Sequence, residues 1–188
     1  MSNTSLPQYN AEQLLAQPLV DLCEQLKQQI SSYYADEPPV LVGIHRGGFY
    51  LAEWLHASLG LNEPVGGLDI SWHRDDLRAS SVSPHVKPTR LPVDIDGREV
   101  LLIDDVLYTG RTIRAALNEL FDYGRPAAVR LAVLAQRSGR ELPVAADFAA
   151  CEFELPSQQE LKLLATAKQQ LLPVENWQWE CVDKEEDE

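Results

Sequence analysis

The chain has 188 residues, a formal net charge of −13 and a 45% hydrophobic fraction, which is the size and composition of one globular domain. It has no run of about 18 apolar residues, which excludes a predicted membrane-spanning helix, and its polar N-terminus lacks the pattern of a signal peptide. Three cysteines lie far apart in sequence and predict neither a disulfide framework nor a zinc site. We therefore expect a cytoplasmic protein that does not enter the membrane.

The charge is distributed unevenly along the chain. Residues 1–73 contain two basic and eight acidic side chains, residues 74–140 contain eleven and nine, and residues 141–188 contain three and twelve. The basic excess of the middle segment suits a site for a polyanionic substrate on an otherwise acidic body. The acidic remainder argues against non-specific nucleic-acid binding, which depends on neutralising phosphates.

Helical spacing dominates residues 11–34, and Pro18 indicates that a second helix begins within this stretch. Apolar residues recur along it at intervals of three or four, which is typical of the buried face of a helix. We expect these residues to belong to the core: Leu15, Leu19, Leu22, Leu26 and Ile30.

Beyond this stretch, predicted strands alternate with predicted helices, which favours an α/β fold with a mostly parallel sheet. One helix is expected to end at Gly60, and a further stretch of helical spacing lies near the C-terminus. The predicted strands are 40–44, 65–73, 90–95, 100–103, 129–135, 144–150 and 176–182, and the predicted helices after the first are 49–60, 113–120 and 159–170.

The segment 100–112 carries the strongest functional signal. An apolar run predicts a buried strand, at whose end stand Asp104 and Asp105. Thr109, Gly110 and Thr112 follow at a helix start, where backbone N–H groups and hydroxyls can bind an anion. Because carboxylates repel phosphate but accept hydrogen bonds from vicinal hydroxyls, the pattern indicates a pocket for a ribose 5-phosphate at the carboxyl end of a sheet.

Residues 104–127 resemble the phosphoribosyl-diphosphate signature of type I phosphoribosyltransferases. The same segment, together with 41–55, 68–77 and 131–148, resembles the bifunctional pyrimidine-operon attenuator / uracil phosphoribosyltransferase family. The resemblance implies a three-layer α/β fold, with a mostly parallel central sheet, helices on both faces and a small hood over the strand ends. A single domain over 10–180 and a disordered acidic tail over 183–188 are expected.

The resemblance also implies an activity: transfer of a phosphoribosyl group from 5-phospho-α-D-ribose 1-diphosphate to uracil, yielding UMP and pyrophosphate. Asp104 and Asp105 would orient the ribose hydroxyls and stabilise positive charge on the sugar, and which of them matters more stays open. Mg²⁺ would be held mainly by diphosphate and ribose oxygens. The protein would be a homodimer or a higher homo-oligomer. The 5-phosphate would lie against Val106, Leu107, Tyr108, Thr109, Gly110, Arg111 and Thr112.

Three further places are expected to contact the leaving diphosphate. The loop of Arg46, Gly47 and Gly48 follows a predicted strand, although Gly47 stands where the family usually has an arginine. Arg74 precedes a stretch that resembles the family's flexible loop, and its alternative is a surface ion pair with a neighbouring aspartate. Arg137 follows the strand 129–135 and lies where a base or a diphosphate is held.

Two other functions stay open. One is a uridine-nucleotide-sensing regulator of pyrimidine biosynthesis genes that binds RNA. Because Lys27 is the one basic residue in 11–34, we expect no tight RNA binding. The other is a phosphoribosyltransferase for a purine base, since residues 149–157 depart from the family where base specificity is set.

Overall fold

The computed structural model describes residues 6–35, 37–70, 88–167 and 170–183. The strands are β1 Gln8–Tyr9, β2 Val40–Ile44, β3 Gly66–Leu68, β4 Glu99–Leu107, β5 Ala128–Arg137, β6 Phe148–Phe153, β7 Gln159–Leu164, β8 Thr166–Ala167, β9 Gln170–Leu171 and β10 Gln178–Asp183. Six of them form the central sheet in the order β1-β6-β5-β4-β2-β3, with every pairing parallel. The α-helices are α1 Ala11–Ala16, α2 Leu19–Tyr33, α3 Gly47–Leu59 and α4 Arg111–Asp122, and Val174–Asn176 form a short 3₁₀ helix.

The sheet is covered by helices on both faces, which confirms the predicted three-layer α/β fold. Side chains alternate across β4, so Leu101 and Ile103 pack with α2 and α3, whereas Val100 and Leu102 pack with α4. Both sets are fully buried. Among the residues described, no helix combines the length and the apolarity needed to span a bilayer.

A small antiparallel unit, hereafter the hood, consists of the described residues from β7 to β10. β7 pairs with β10, and β8 pairs with β9. Leu161, Leu163, Trp177 and Trp179 are buried in the same apolar cluster as α2 and α3. The hood is therefore fastened to one face of the sheet by hydrophobic burial, beside the carboxyl ends of the strands.

The helical N-terminal region breaks at Pro18 as predicted, and α3 ends at Gly60, whose φ is 65°. The expectation that Leu15 belongs to the core was wrong, because its side chain is 45% exposed while Leu14 is 1% exposed. The two helices are separate, and Asn10 caps α1 through a reciprocal capping box. The apolar stripe of α2 therefore does not continue in register into α1.

Three predicted elements near the sheet edge and the C-terminus need correction. The helix predicted over 159–170 was wrong, because its described residues form β7, β8 and the start of β9, and buried and exposed side chains alternate along β7. Residues 90–95, which contain Pro92, form only an isolated bridge from Arg90 to Gly67. Of the strand predicted over 65–73, the described residues 65–70 contain only β3, and the last three residues lie outside the described ranges. Of the expected acidic tail 183–188, Asp183 belongs to β10, and residues 184–188 lie outside the described residues.

Candidate active site

Asp104 and Asp105 lie where β4 loses one of its two neighbours. The expectation that the strand ends before them was wrong, because β4 continues to Leu107 beside β5. Its pairing with β2, however, extends only to Ile103, opposite Gly43. The two acids therefore remain in a regular strand while one edge of that strand is open. Asp104 is 5% exposed and Asp105 is partly buried.

The open edge of β4 is faced by the start of α3, which approaches because its first two residues are glycines. A Cβ on Gly47 would lie 2.1 Å from Oδ2 of Asp105, and a Cβ on Gly48 would lie 2.3 Å from the carbonyl oxygen of Ile103. Gly47 thus borders the carboxylate, whereas Gly48 packs on the backbone beneath. Arg46 is exposed at the rim, and the peptide bond from His45 to Arg46 is cis.

Burial and hydrogen bonds act in opposite directions on Asp105. Burial raises the pKa of its carboxyl group, and this effect exceeds the lowering by hydrogen bonds from Asp104 and from the backbone amides of Val106 and Leu163. The Val106 amide donates to Oδ1 of Asp105 at 3.0 Å. Leu163 belongs to β7, so the hood contributes a backbone amide to the surroundings of this carboxylate.

Residues 106–112, which comprise the end of β4, the turn after it and the start of α4, form a candidate anion-binding loop. Gly110 has a φ of 94° and immediately precedes α4, and the residues of the first turn of that helix line the cleft. The Arg111 amide donates to Oγ1 of Thr109 at 3.3 Å. The Arg111 guanidinium forms an ion pair with Glu141 at 2.7 Å, which places a carboxylate beside its charge.

These elements enclose one cleft of about 720 Å³. It brings together most of the residues expected from the sequence: Arg46, Gly47, Asp104, Asp105, Val106, Leu107, Tyr108, Thr109, Gly110, Arg111, Thr112 and Arg137. Gly48 lies below the wall of the cleft, and Arg74 lies outside the described residues. Within the described part of the chain, no three His, Cys, Asp or Glu side chains form a metal-binding cluster.

The interpretation of the sequence missed the opposite wall of the cleft. The hood contributes Glu160 and Lys162, whose side chains are 3.4 Å apart, and Leu164. These side chains alternate along β7 with the buried Leu161 and Leu163. That period of two is the signal for this wall, whereas the helical spacing of residues 159–170 predicts a helix there.

A parallel sheet with two acids and an anion-binding loop at its carboxyl end defines an α/β protein built to bind a phosphorylated ligand. The chain matches the family described as phosphoribosyl transferase domain over residues 10–160, and it belongs to that family. Its relatives include a protein named bifunctional protein PyrR from Pseudomonas paraeruginosa, 50% identical over 131 residues that cover 70% of this chain and 77% of the relative. The protein of the same name from Pseudomonas fluorescens is 42% identical over 167 residues, covering 89% and 95%.

Solved structures support the fold. A hypoxanthine phosphoribosyltransferase from Staphylococcus aureus superposes with a TM-score of 0.58 at 20% identity, covering 77% of this chain and 76% of that one. A purine phosphoribosyltransferase from Pyrococcus horikoshii gives 0.55 at 22% identity, covering 80% and 97%. At this identity the likeness concerns the fold alone. The family resemblance expected from the sequence is confirmed by the curated relatives.

Proposed function

We propose that this protein transfers the phosphoribosyl group of 5-phospho-α-D-ribose 1-diphosphate to uracil. The observation that carries the proposal is the arrangement of Asp104 and Asp105 in one cleft with the anion-binding loop 106–112. In the reaction the bond from C1 to the diphosphate oxygen breaks and a bond from C1 to N1 of uracil forms. The diphosphate leaves with the bonding electrons, and N1 loses its proton.

The residues of the cleft suit a reaction in which positive charge grows on the sugar. The carboxylates of Asp104 and Asp105 accept hydrogen bonds from the ribose hydroxyls and stabilise that charge electrostatically. The loop 106–112 holds the 5-phosphate through backbone N–H groups and through Thr109 and Thr112. The hood opposite limits access of water, which would otherwise hydrolyse the sugar.

The end of the cleft beside α3 is assigned to the leaving diphosphate. Arg46 and the backbone of Gly47 border it, and we propose that they contact the leaving group. Arg74 is retained as a further diphosphate ligand, although it lies outside the described residues.

The side chains present fit a Mg²⁺ ion that takes most of its ligands from the substrate. Asp104 and Asp105 offer hard oxygen atoms, and no third acidic side chain in the described ranges completes a protein-only site. Bound Mg²⁺ would neutralise charge on the leaving diphosphate. Asp104 and Asp105 can hold it directly or through water.

The test is an assay of purified protein with the ribosyl diphosphate, Mg²⁺ and each of uracil, hypoxanthine and guanine. We expect nucleotide formation with uracil, following the family resemblance. If only purine nucleotides formed, the proposed substrate would be a purine base instead of uracil. Absence of product with every base would reject the transferase proposal, provided that a curated relative is active in the same assay.

A second candidate function, regulation through RNA, is favoured by the word bifunctional in the relatives' names. The charges of the described residues oppose tight RNA binding. Lys27, the one basic residue of α2, forms an ion pair with Glu24, and Arg98 and Arg130 are likewise paired with acids. Clustered free Lys and Arg are what RNA phosphates require.

We therefore predict no tight binding to pyrimidine-operon leader RNA at physiological salt, with or without uridine nucleotide. A filter-binding titration tests this, with the Pseudomonas fluorescens relative as the comparison protein. Nanomolar, salt-sensitive and sequence-specific binding would make regulation the leading function.

We also propose, from the resemblance, that residues 10–180 form a single domain and that the protein works in the cytoplasm as a homodimer or a higher homo-oligomer. Light scattering can measure the oligomeric state.

A further inference from the structure

The anion-binding loop 106–112, hereafter the phosphate-binding loop, is bonded to residues 137–142, which comprise the last residue of β5 and the segment after it and are hereafter called the clamp loop. The backbone amides of Glu141 and Leu142 both donate to the carbonyl oxygen of Thr109, at 3.0 and 3.1 Å. The guanidinium of Arg140 donates to the carbonyl oxygen of Tyr108. Two successive carbonyls of the phosphate-binding loop are thus fixed by the clamp loop.

The clamp loop also contacts the ring of Tyr108 closely. Gly139 has a φ of 101°, and a Cβ there would lie 2.8 Å from Cε2 of Tyr108. The guanidinium carbon of Arg137 lies 3.9 Å from the centroid of the same ring. Tyr108 is therefore packed between a glycine that lets the backbone approach and a stacked cation.

Arg137 extends these contacts to the segment that leads into the hood. Its side chain is 7% exposed. Nη2 donates to the carbonyl oxygen of Leu155 at 2.7 Å, and Nη1 donates to that of Gln159 at 3.0 Å. A planar guanidinium can stack on a ring and donate in two directions at once, which a lysine ammonium cannot do.

We propose that Arg137 is a positioning residue, which sets the hood relative to the phosphate-binding loop through its contact with Tyr108. The proposal rests on the proposed function, because it concerns how the two ends of the same cleft are aligned. It differs from the diphosphate role that the resemblance implies, since it acts through the ring of Tyr108 and the backbone carbonyls of Leu155 and Gln159. A substrate that spans loop and hood needs these two ends at a fixed separation.

Steady-state kinetics of Arg137→Lys, Tyr108→Leu and the double variant test the coupling. We expect each single variant to lower kcat about tenfold, because misalignment of reacting groups is costly. The double variant should be no slower than the slower single variant, because all three variants lose the same contact, that of the Arg137 guanidinium with the Tyr108 ring. The affinity for pyrophosphate should stay within about twofold of wild type.

Arg130→Lys is the matched control. Arg130 also stacks on a tyrosine, with its guanidinium carbon 4.8 Å from the Tyr33 ring, and it pairs with Glu99 and Asp147 away from the cleft. Its kinetic constants should not change. Additive effects in the double variant, or a loss of pyrophosphate affinity confined to Arg137→Lys, would overturn the proposal and indicate direct contact with the diphosphate.

Amide hydrogen exchange gives a measurement that does not depend on activity. Arg137→Lys and Tyr108→Leu should each speed exchange in both 106–112 and 155–161, while β2 keeps its wild-type protection. Unchanged exchange in 155–161 of Tyr108→Leu would contradict the coupling even if the wild-type protein transferred no phosphoribosyl group. If Arg137→Lys does not fold, Tyr108→Leu is compared with Tyr108→Phe, which keeps the ring. Exchange in 155–161 should be faster in Tyr108→Leu than in Tyr108→Phe, and equal exchange would contradict the coupling.

Discussion

The two ends of the cleft are built in different ways. The loop end consists of nine consecutive residues, 104–112, whose shape depends on local hydrogen bonds, on the positive φ of Gly110 and on hydrogen bonds from the clamp loop. The hood end is assembled from strands within residues 159–183, and burial of Trp177 and Trp179 against α2 and α3, which are distant in sequence, holds it in place. The charged residues of the cleft therefore lie in one short contiguous segment, whereas the position of the opposite wall depends on packing in the core.

The largest effect should follow from removing the charges at the loop end. Asp104→Asn combined with Asp105→Asn should lower kcat by about 10²–10³, because preorganised charges near the reacting centre commonly contribute that much. The fold should persist, as both side chains keep their size, and circular dichroism can verify this. Near-native turnover in the folded double variant would remove these acids from the mechanism.

The phosphate-binding turn should be the next most sensitive feature. Thr109→Val combined with Gly110→Val should weaken ribose 5-phosphate binding about tenfold or more, because a hydroxyl is lost and valine does not tolerate a φ of 94°. Titration calorimetry measures this. Gly97→Val is the control, since Gly97 also has a positive φ and has open space around its Cβ position. Equal affinity in the cleft variant and the control would rule out a phosphate site here.

Damage to the hood should affect stability rather than phosphate binding. The indole N–H of Trp177 donates to the Leu172 carbonyl at 2.8 Å, whereas that of Trp179 is buried with no partner in the described ranges. Trp177→Phe should therefore destabilise the protein by about 1 kcal/mol more than Trp179→Phe in denaturant unfolding. Both variants should keep wild-type affinity for ribose 5-phosphate. A greater loss for Trp179→Phe would contradict this account of the hood.

The smallest expected effect is the pH dependence of stability that comes from the buried carboxyl group of Asp105. Because burial raises its pKa above the ordinary 3.8, the stability that its protonated form contributes is fully present below about pH 3.8. That stability is lost as pH rises through the folded-state pKa. Asp105→Asn, which stays uncharged, should have a higher Tm than wild type at neutral pH, and the difference should shrink toward pH 4. A difference that grows on acidification would mean that the carboxyl pKa is lowered.

Local patterns predicted the loop end well. The apolar run of β2 has the predicted bounds, α3 ends at Gly60, and the acids and the anion-binding turn lie in one cleft. Such features depend on neighbours a few residues away, such as a glycine that permits a positive φ or a Pro18 that begins a helix. The strand that carries the acids was predicted too short, because its extension to Leu107 depends on pairing with β5.

The hood shows where local patterns mislead. Residues 159–170 contain leucines at spacings that fit either a helix or a strand, and intrinsic propensity is too weak to choose between them. Pairing with β10 and burial of Leu161 and Leu163 against α2 and α3 decide for the strand.

The α/β class, the two acids and the glycine and threonines of the anion-binding turn could be predicted from the sequence, because each of these signals lies within a short segment of the chain. The approach of Gly47 to Asp105, the hood wall and the contact of Arg137 with Tyr108 appear only in the folded structure. The physical reason is that these contacts join segments that are distant in sequence, and shared burial in the core brings them together.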